Sequence, residues 1–202
     1  MTQYVHALKE IAPNEEITIS CKSPSLFPSQ SALNTHTTDT DSESQWAERQ
    51  HAIHISWGFA CGCSICRQPA DHIDLSDKRL QIIKSLKDKL NDWTEPQPER
   101  PKMAELLIDL YEQERLFVPM ATGYEAAAYA YSVIGDEYRT MMYAGKAVDA
   151  LTIMYGAEHE LTLDMEIMMR DPKLHRTWLF SVNKTNETAD KNEELTEAAE
   201  AE

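Results

Sequence analysis

The chain has 202 residues, 34 of them Asp or Glu and 19 Lys or Arg, for a formal net charge of −15 at pH 7. That balance excludes an electrostatic grip on nucleic acid or on an anionic membrane, since both need clustered positive charge. A large multidomain enzyme is excluded by length, no apolar run approaches the ~20 residues that span a bilayer, and the N-terminus lacks the basic and apolar segments of a signal peptide. The sequence therefore reads as an intracellular protein, nuclear or cytoplasmic, in a reducing compartment, with no direct nucleic acid and no membrane.

In chain order, Tyr4–Leu8 and Ile17–Cys21 are short runs of β-forming residues around the turn signal Ala12-Pro13-Asn14-Glu15, and they predict a small β-ribbon over residues 1–21. Residues 22–45 are rich in Ser, Thr, Pro and Asn without periodic apolar positions, a composition that predicts a mobile polar loop. Trp46 onward predicts a short helix running into Trp57-Gly58-Phe59, and a cysteine cluster follows within residues 46–70. Ser76 supplies an N-cap signal for a helix whose periodic positions are Leu80, Ile83, Leu86 or Lys87, and Leu90, and Pro96, Pro98 and Pro101 break it.

Lys102–Phe117 predicts the next helix, with Met103, Leu106, Leu107, Leu110 and Tyr111 on one side and Pro119 at its end. Tyr124–Ile134 is followed by Gly135-Asp136, a C-cap and then an N-cap, which opens a long helix over Glu137–Tyr155 closed by Gly156. His159–Arg170 gives one more. Small residues at Ala127, Ala128, Gly145, Ala147 and Ala150 would let neighbouring helices approach closely. Residues 76–180 thus have the helix-turn-helix texture of tetratricopeptide-type repeats, but with fewer units than the ~3 a free solenoid needs, which favours a helical hairpin cap packed on another domain. Residues 183–202 form an acidic tail, with seven acidic against two basic residues, and predict disorder. The fold class expected is α+β, mainly α: a β-ribbon, a cysteine turn, then antiparallel helical hairpins.

Cys61, Cys63 and Cys66 lie within six positions, whereas Cys21 stands forty residues before the first of them. Three thiolates from one tight turn suit the tetrahedral angles of a structural zinc site, and a disulfide framework does not suit a reducing compartment. Tetrahedral zinc needs a fourth ligand, which leaves Cys21, one of the seven His, a segment elsewhere or a partner chain. Three reduced cysteines that bind nothing are the competing reading. His51 and His54 have a helical spacing that can hold metal, yet solvent exposure is the favoured reading. The Tyr124, Tyr129, Tyr131, Tyr138 and Tyr143 series and the Met141-Met142 and Met168-Met169 pairs read as helix core before any ligand cage or peptide groove.

The strings Ala7-Leu8-Lys9-Glu10-Ile11-Ala12-Pro13-Asn14-Glu15-Glu16-Ile17-Thr18-Ile19-Ser20, Glu48-Arg49-Gln50 and Trp57-Gly58-Phe59-Ala60-Cys61-Gly62-Cys63-Ser64-Ile65-Cys66 together resemble the end of a SET domain and its post-SET segment. The similarity is to the fungal-type SET and MYND (SMYD-like) family, which consists of S-adenosylmethionine-dependent protein-lysine N-methyltransferases and their relatives. It covers roughly residues 4–66, and the helical remainder, with Asp171-Pro172 and Trp178, resembles the family's tetratricopeptide-like C-terminal region. The resemblance implies zinc at Cys61, Cys63 and Cys66, with Phe59 beside the adenine of the cofactor S-adenosylmethionine. It also implies an acidic turn at Glu15-Glu16, where Asn14 replaces glycine and can keep a left-handed conformation.

Two departures point away from catalysis by this chain. Cys21 stands where the family has a tyrosine near the methyl-transfer site. The family's glycine-rich cofactor turn and Asn-His-x-Cys segment lie upstream of the position matched by Met1, so Met1 reads as an internal start. The expected function is a SET-type portion that holds zinc weakly and is not catalytic alone, and the resemblance implies a protein substrate or protein partner. The alternative is a non-catalytic, zinc-stapled helical interaction module.

Overall fold

The computed structural model describes Pro13 and residues 43–62, 65–94 and 97–180. The expected β-ribbon with Cys21, most of the polar loop, Cys63 and the acidic tail lie outside the described residues. The described chain forms helices α1 (Trp46–Trp57), α2 (Ala70–Asn91), α3 (Arg100–Gln113), α4 (Met120–Ile134), α5 (Glu137–Tyr155) and α6 (Glu160–Arg170), then a 3-10 turn, Pro172–Leu174. The fold is therefore mainly helical, with no strand among the described residues. Two compact units are present, Met1–Asn91 with Leu106–Met120 and Asp92–Glu105 with Ala121–Glu202, and one boundary falls inside α3.

In the first unit, α2 buries Leu80, Ile83, Leu86 and Leu90, the three-and-four spacing of a single apolar stripe. The helix starts earlier than the Ser76 signal implies, because the Pro69 carbonyl accepts from the amides of His72 and Ile73 at 3.0 and 3.1 Å and so nucleates the first turn. Ser76 is instead buried inside α2, and its hydroxyl donates to Glu114 Oε2 at 2.6 Å rather than to its own backbone. Glu43 joins this unit through both carboxylate oxygens, accepting from Lys87 Nζ at 2.6 Å and from the Tyr111 hydroxyl at 3.2 Å.

The helix expected to reach Phe117 stops at Gln113. Arg115 turns left-handed with φ 56°, its amide donates to the Glu112 carbonyl, and the Leu116 amide donates to the Tyr111 carbonyl at 2.8 Å. This pair of bonds is a Schellman closure with arginine where glycine is usual. Of the apolar side expected for this helix, Leu107, Leu110 and Tyr111 are buried, whereas Leu106 is exposed.

The second unit is built on α4, α5 and α6, which share one core of Ala121, Ala128, Ala144, Ala147, Leu151, Met165 and Met168. Four of these seven are alanines, so backbones, not bulky side chains, define the spacing. Gly145 is not one of the close approaches, since a Cβ added there would meet Met169 Sδ at an ordinary 3.6 Å. The α4–α5 turn follows its sequence signal: Gly135 is left-handed with φ 79°, and the Asp136 side chain caps α5 by accepting from the Arg139 amide at 3.0 Å. Gly156 ends α5, and His159 Nδ1 accepts from the Leu161 amide at the start of α6.

Thr140 and Thr162 donate their buried hydroxyls to the Asp136 and Gly156 carbonyls, and two polar networks engage the tyrosines and Ser132. Glu105 Oε1 accepts from the Tyr131 hydroxyl at 2.7 Å and the Tyr143 hydroxyl at 3.2 Å, while those two rings stack with an interplanar angle of 4°. Asp164 accepts from the Tyr129 hydroxyl at 2.7 Å and lies 3.2 Å from His175 Nε2. The other ring nitrogen of His175 is 2.7 Å from Thr177 Oγ1, which in turn is 2.9 Å from the buried Ser132 hydroxyl. The Thr177 amide also donates to His175 Nδ1 at 3.3 Å.

Candidate functional site

The cysteine turn follows α1 directly. Gly58 terminates that helix in the left-handed region at φ 72°, and its amide donates to the His54 carbonyl at 2.9 Å. The chain then passes through Phe59, whose ring is half exposed, and reaches Cys61.

One face of α1 fixes both ends of the turn. Gln50 Oε1 accepts from the Cys61 amide at 2.9 Å, and Gln50 Nε2 donates to the Cys61 carbonyl at 3.1 Å. One turn of helix earlier, Trp46 Nε1 donates to the Cys66 carbonyl at 3.2 Å. Positions 46, 50 and 53 fall on a single helix face, and Ile53 is 3% exposed, so that face is seated in the unit while its polar groups hold the cysteine backbone. The start of α1 is itself fixed by Asp77 of α2, whose Oδ1 accepts from the Trp46 amide at 2.8 Å where Gln45 offers no side-chain cap. The arrangement defines the separation of Cys61 and Cys66 by neutral hydrogen bonds, independently of any metal.

Cys61 and Cys66 are both partly buried. Cys63 and Cys21 lie outside the described residues, and among the described residues no group of three or more His, Cys, Asp and Glu is arranged to hold a metal ion. His51 and His54 are exposed on α1. In the second unit Tyr131 is buried, Tyr124, Tyr129 and Tyr143 are partly buried, and Tyr138 stands out at 76% exposure. Met168 is core, as expected, but Met141 is exposed. Trp46 and Gln50, the two residues that hold the cysteine turn, were absent from the expected site. Their one readable signal is that they share the helical face of Ile53.

Beside the cysteine turn the first unit carries a cleft of about 240 Å³. Ile65 and Gln68 line it from the turn, Ser76 and Arg79 from α2, and Gln113, Glu114 and Arg115 from the end of α3. The Glu114 side chain is 7% exposed and accepts from both the Ser76 hydroxyl and Arg79 Nε.

Tyr129, Tyr131 and Tyr143 of the second unit are held as neutral phenols. Burial, then the charge of Glu105 and its hydrogen bond, push Tyr143 up to about 12 from an ordinary value of 10.0. Burial, followed by the bond to Asp164, raises Tyr129 further still. These groups are hydrogen-bond donors and do not serve as bases near neutral pH. No helix of the described residues is long and apolar enough to cross a membrane. Comparison with known protein families, with curated proteins and with solved structures gave no match to the chain.

Proposed function

We propose that this chain is a SET-type segment, the end of a SET domain and its post-SET zinc turn joined to a tetratricopeptide-like helical region. It is related to S-adenosylmethionine-dependent protein-lysine N-methyltransferases and does not transfer methyl groups by itself. The observation that carries this is the cysteine turn: the sequence from Trp57 to Cys66 has the post-SET order and spacing, and its backbone is held at Cys61 and Cys66 by Gln50 and Trp46.

Cys61, Cys63 and Cys66 would hold zinc, which would supply a structural cross-link and no reactivity. Two half-buried thiols fixed through their backbones fit that role, and a fourth ligand must come from Cys21, a histidine or another chain. Phe59, left half exposed beside this turn, is suited to an apolar contact with an adenine. Cys21 in place of the family's tyrosine argues against catalysis, because a thiol is a weak hydrogen-bond donor beside a phenol hydroxyl.

The test is a transfer assay with labelled S-adenosylmethionine and a mixed protein substrate. The expected result is no transfer above a zinc-depleted control, and robust transfer overturns the proposal. A zinc-stapled interaction module is favoured by one separate feature, the exposed apolar pair Leu163 and Ile167 four residues apart on α6. In that case substitution of both by Asp abolishes binding to a partner protein while zinc content is unchanged.

A further inference from the structure

The cleft next to the cysteine turn has three charged lining groups, Arg79, Glu114 and Arg115. Glu114 is committed to Arg79 and Ser76, so its charge and that of Arg79 cancel. The guanidinium of Arg115 has no ion-pair partner among the described residues. The cleft is thus locally cationic in a chain whose net charge is −15. Arg115 also occupies the left-handed position of a helix end, where glycine is the ordinary residue and any other side chain is strained. Strain retained at a non-glycine residue is expected where its side chain has a use.

We propose that this cleft binds a small carboxylate, with Arg115 as its charged anchor. A single uncompensated guanidinium matches one carboxylate in charge, and its planar fork matches the carboxylate in shape. A phosphate monoester carries about −1.5 to −2 and would leave charge unbalanced here. Gln68 and Gln113 also line the cleft and carry amides able to donate, and Ile65 among the lining residues is apolar, as a short alkyl body requires. At about 240 Å³ the space falls below the range of roughly 300–1,000 Å³ typical of drug-sized ligands, so it admits a short acid or the end of a peptide.

The experiment titrates the full chain with sodium butyrate, with acetyl-trialanine as free acid and as amide, and with sodium phosphate, each followed by ¹H–¹⁵N spectra. Because Arg115 is solvent-exposed, binding is on the order of millimolar, with saturable shifts at residues lining the cleft. Arg115→Gly removes the guanidinium while providing the residue that the backbone favours, so the fold is retained and affinity falls about three- to fivefold. Arg115→Lys lies between the two. Saturable binding of butyrate identifies a free acid as the source, and binding of the peptide acid but not its amide identifies a chain terminus. Either supports the proposal. No saturable shift with either carboxylate, equal affinity in Arg115→Gly, or phosphate binding as tightly as butyrate overturns it.

Discussion

Gly135 offers a direct check on how the second unit is closed. It sits at φ 79° after α4, and a Cβ built on it would lie 2.5 Å from Leu179 Cδ2. Gly135→Ala therefore adds two effects. Left-handed backbone costs an L-residue about 1–2 kcal/mol, and the stiffer unfolded chain offsets about 0.4–1 kcal/mol of that. Leu179 cannot withdraw as a unit, because its amide donates to the Ser132 carbonyl at 3.0 Å and its own φ is 55°. Its side chain must leave its rotamer instead, for about 0.5–1.5 kcal/mol. The summed loss is about 1–2.5 kcal/mol. Urea denaturation followed by far-ultraviolet circular dichroism measures it, and repetition in a Leu179→Ala background separates the parts. In that background the glycine substitution should cost only its backbone share, about 0.5–1 kcal/mol, so the two sites are coupled. Equal losses in both backgrounds, or none in either, refute the reasoning.

Met168→Ala, at a side chain with no exposure in the α4–α6 core, should destabilise the second unit by about 2–5 kcal/mol in the same denaturation assay. Glu105→Gln should lower the ionisation midpoint of Tyr143 from about 12 without returning it to 10.0, because burial is the larger cause and remains. Ultraviolet titration of tyrosinate reads the change, and an unaltered midpoint contradicts it. The phenol is harder to ionise folded than unfolded, so its contribution to stability is complete below pH 10 and is lost as pH rises through about 12. Asp77→Ala removes the acceptor for the Trp46 amide and should weaken the first turn of α1 by about 1 kcal/mol, seen as faster amide exchange confined to that helix.

The helix ends show which features were legible in the sequence. Where the signal is local, as at Gly135-Asp136 and Gly156, α5 occupies the expected Glu137–Tyr155. At Ser76 the sequence misleads, since a hydroxyl that could cap its own helix instead bonds Glu114, 38 residues away. The end of α3 is hidden for a related reason: its left-handed residue is Arg115, and no glycine announces it. The cysteine turn was plain in its spacing, but its supports were not. Trp46 and Gln50 look like ordinary positions on a weakly amphipathic helix until the chain returns to place the Cys61 and Cys66 backbones against them. The Tyr–Glu and His–Asp–Thr networks are invisible in one dimension, since their members lie up to 45 residues apart.

The most direct test of the proposed function is the zinc content of the purified chain, measured by elemental analysis after growth in zinc-supplemented medium. For a site that holds zinc weakly, the expectation is a measurable zinc content of up to about one ion per chain, lost in Cys61→Ser and in Cys66→Ser while the circular dichroism of the helices persists. A chain that carries no zinc, or a Cys61→Ser variant that keeps it, contradicts the post-SET assignment of this turn.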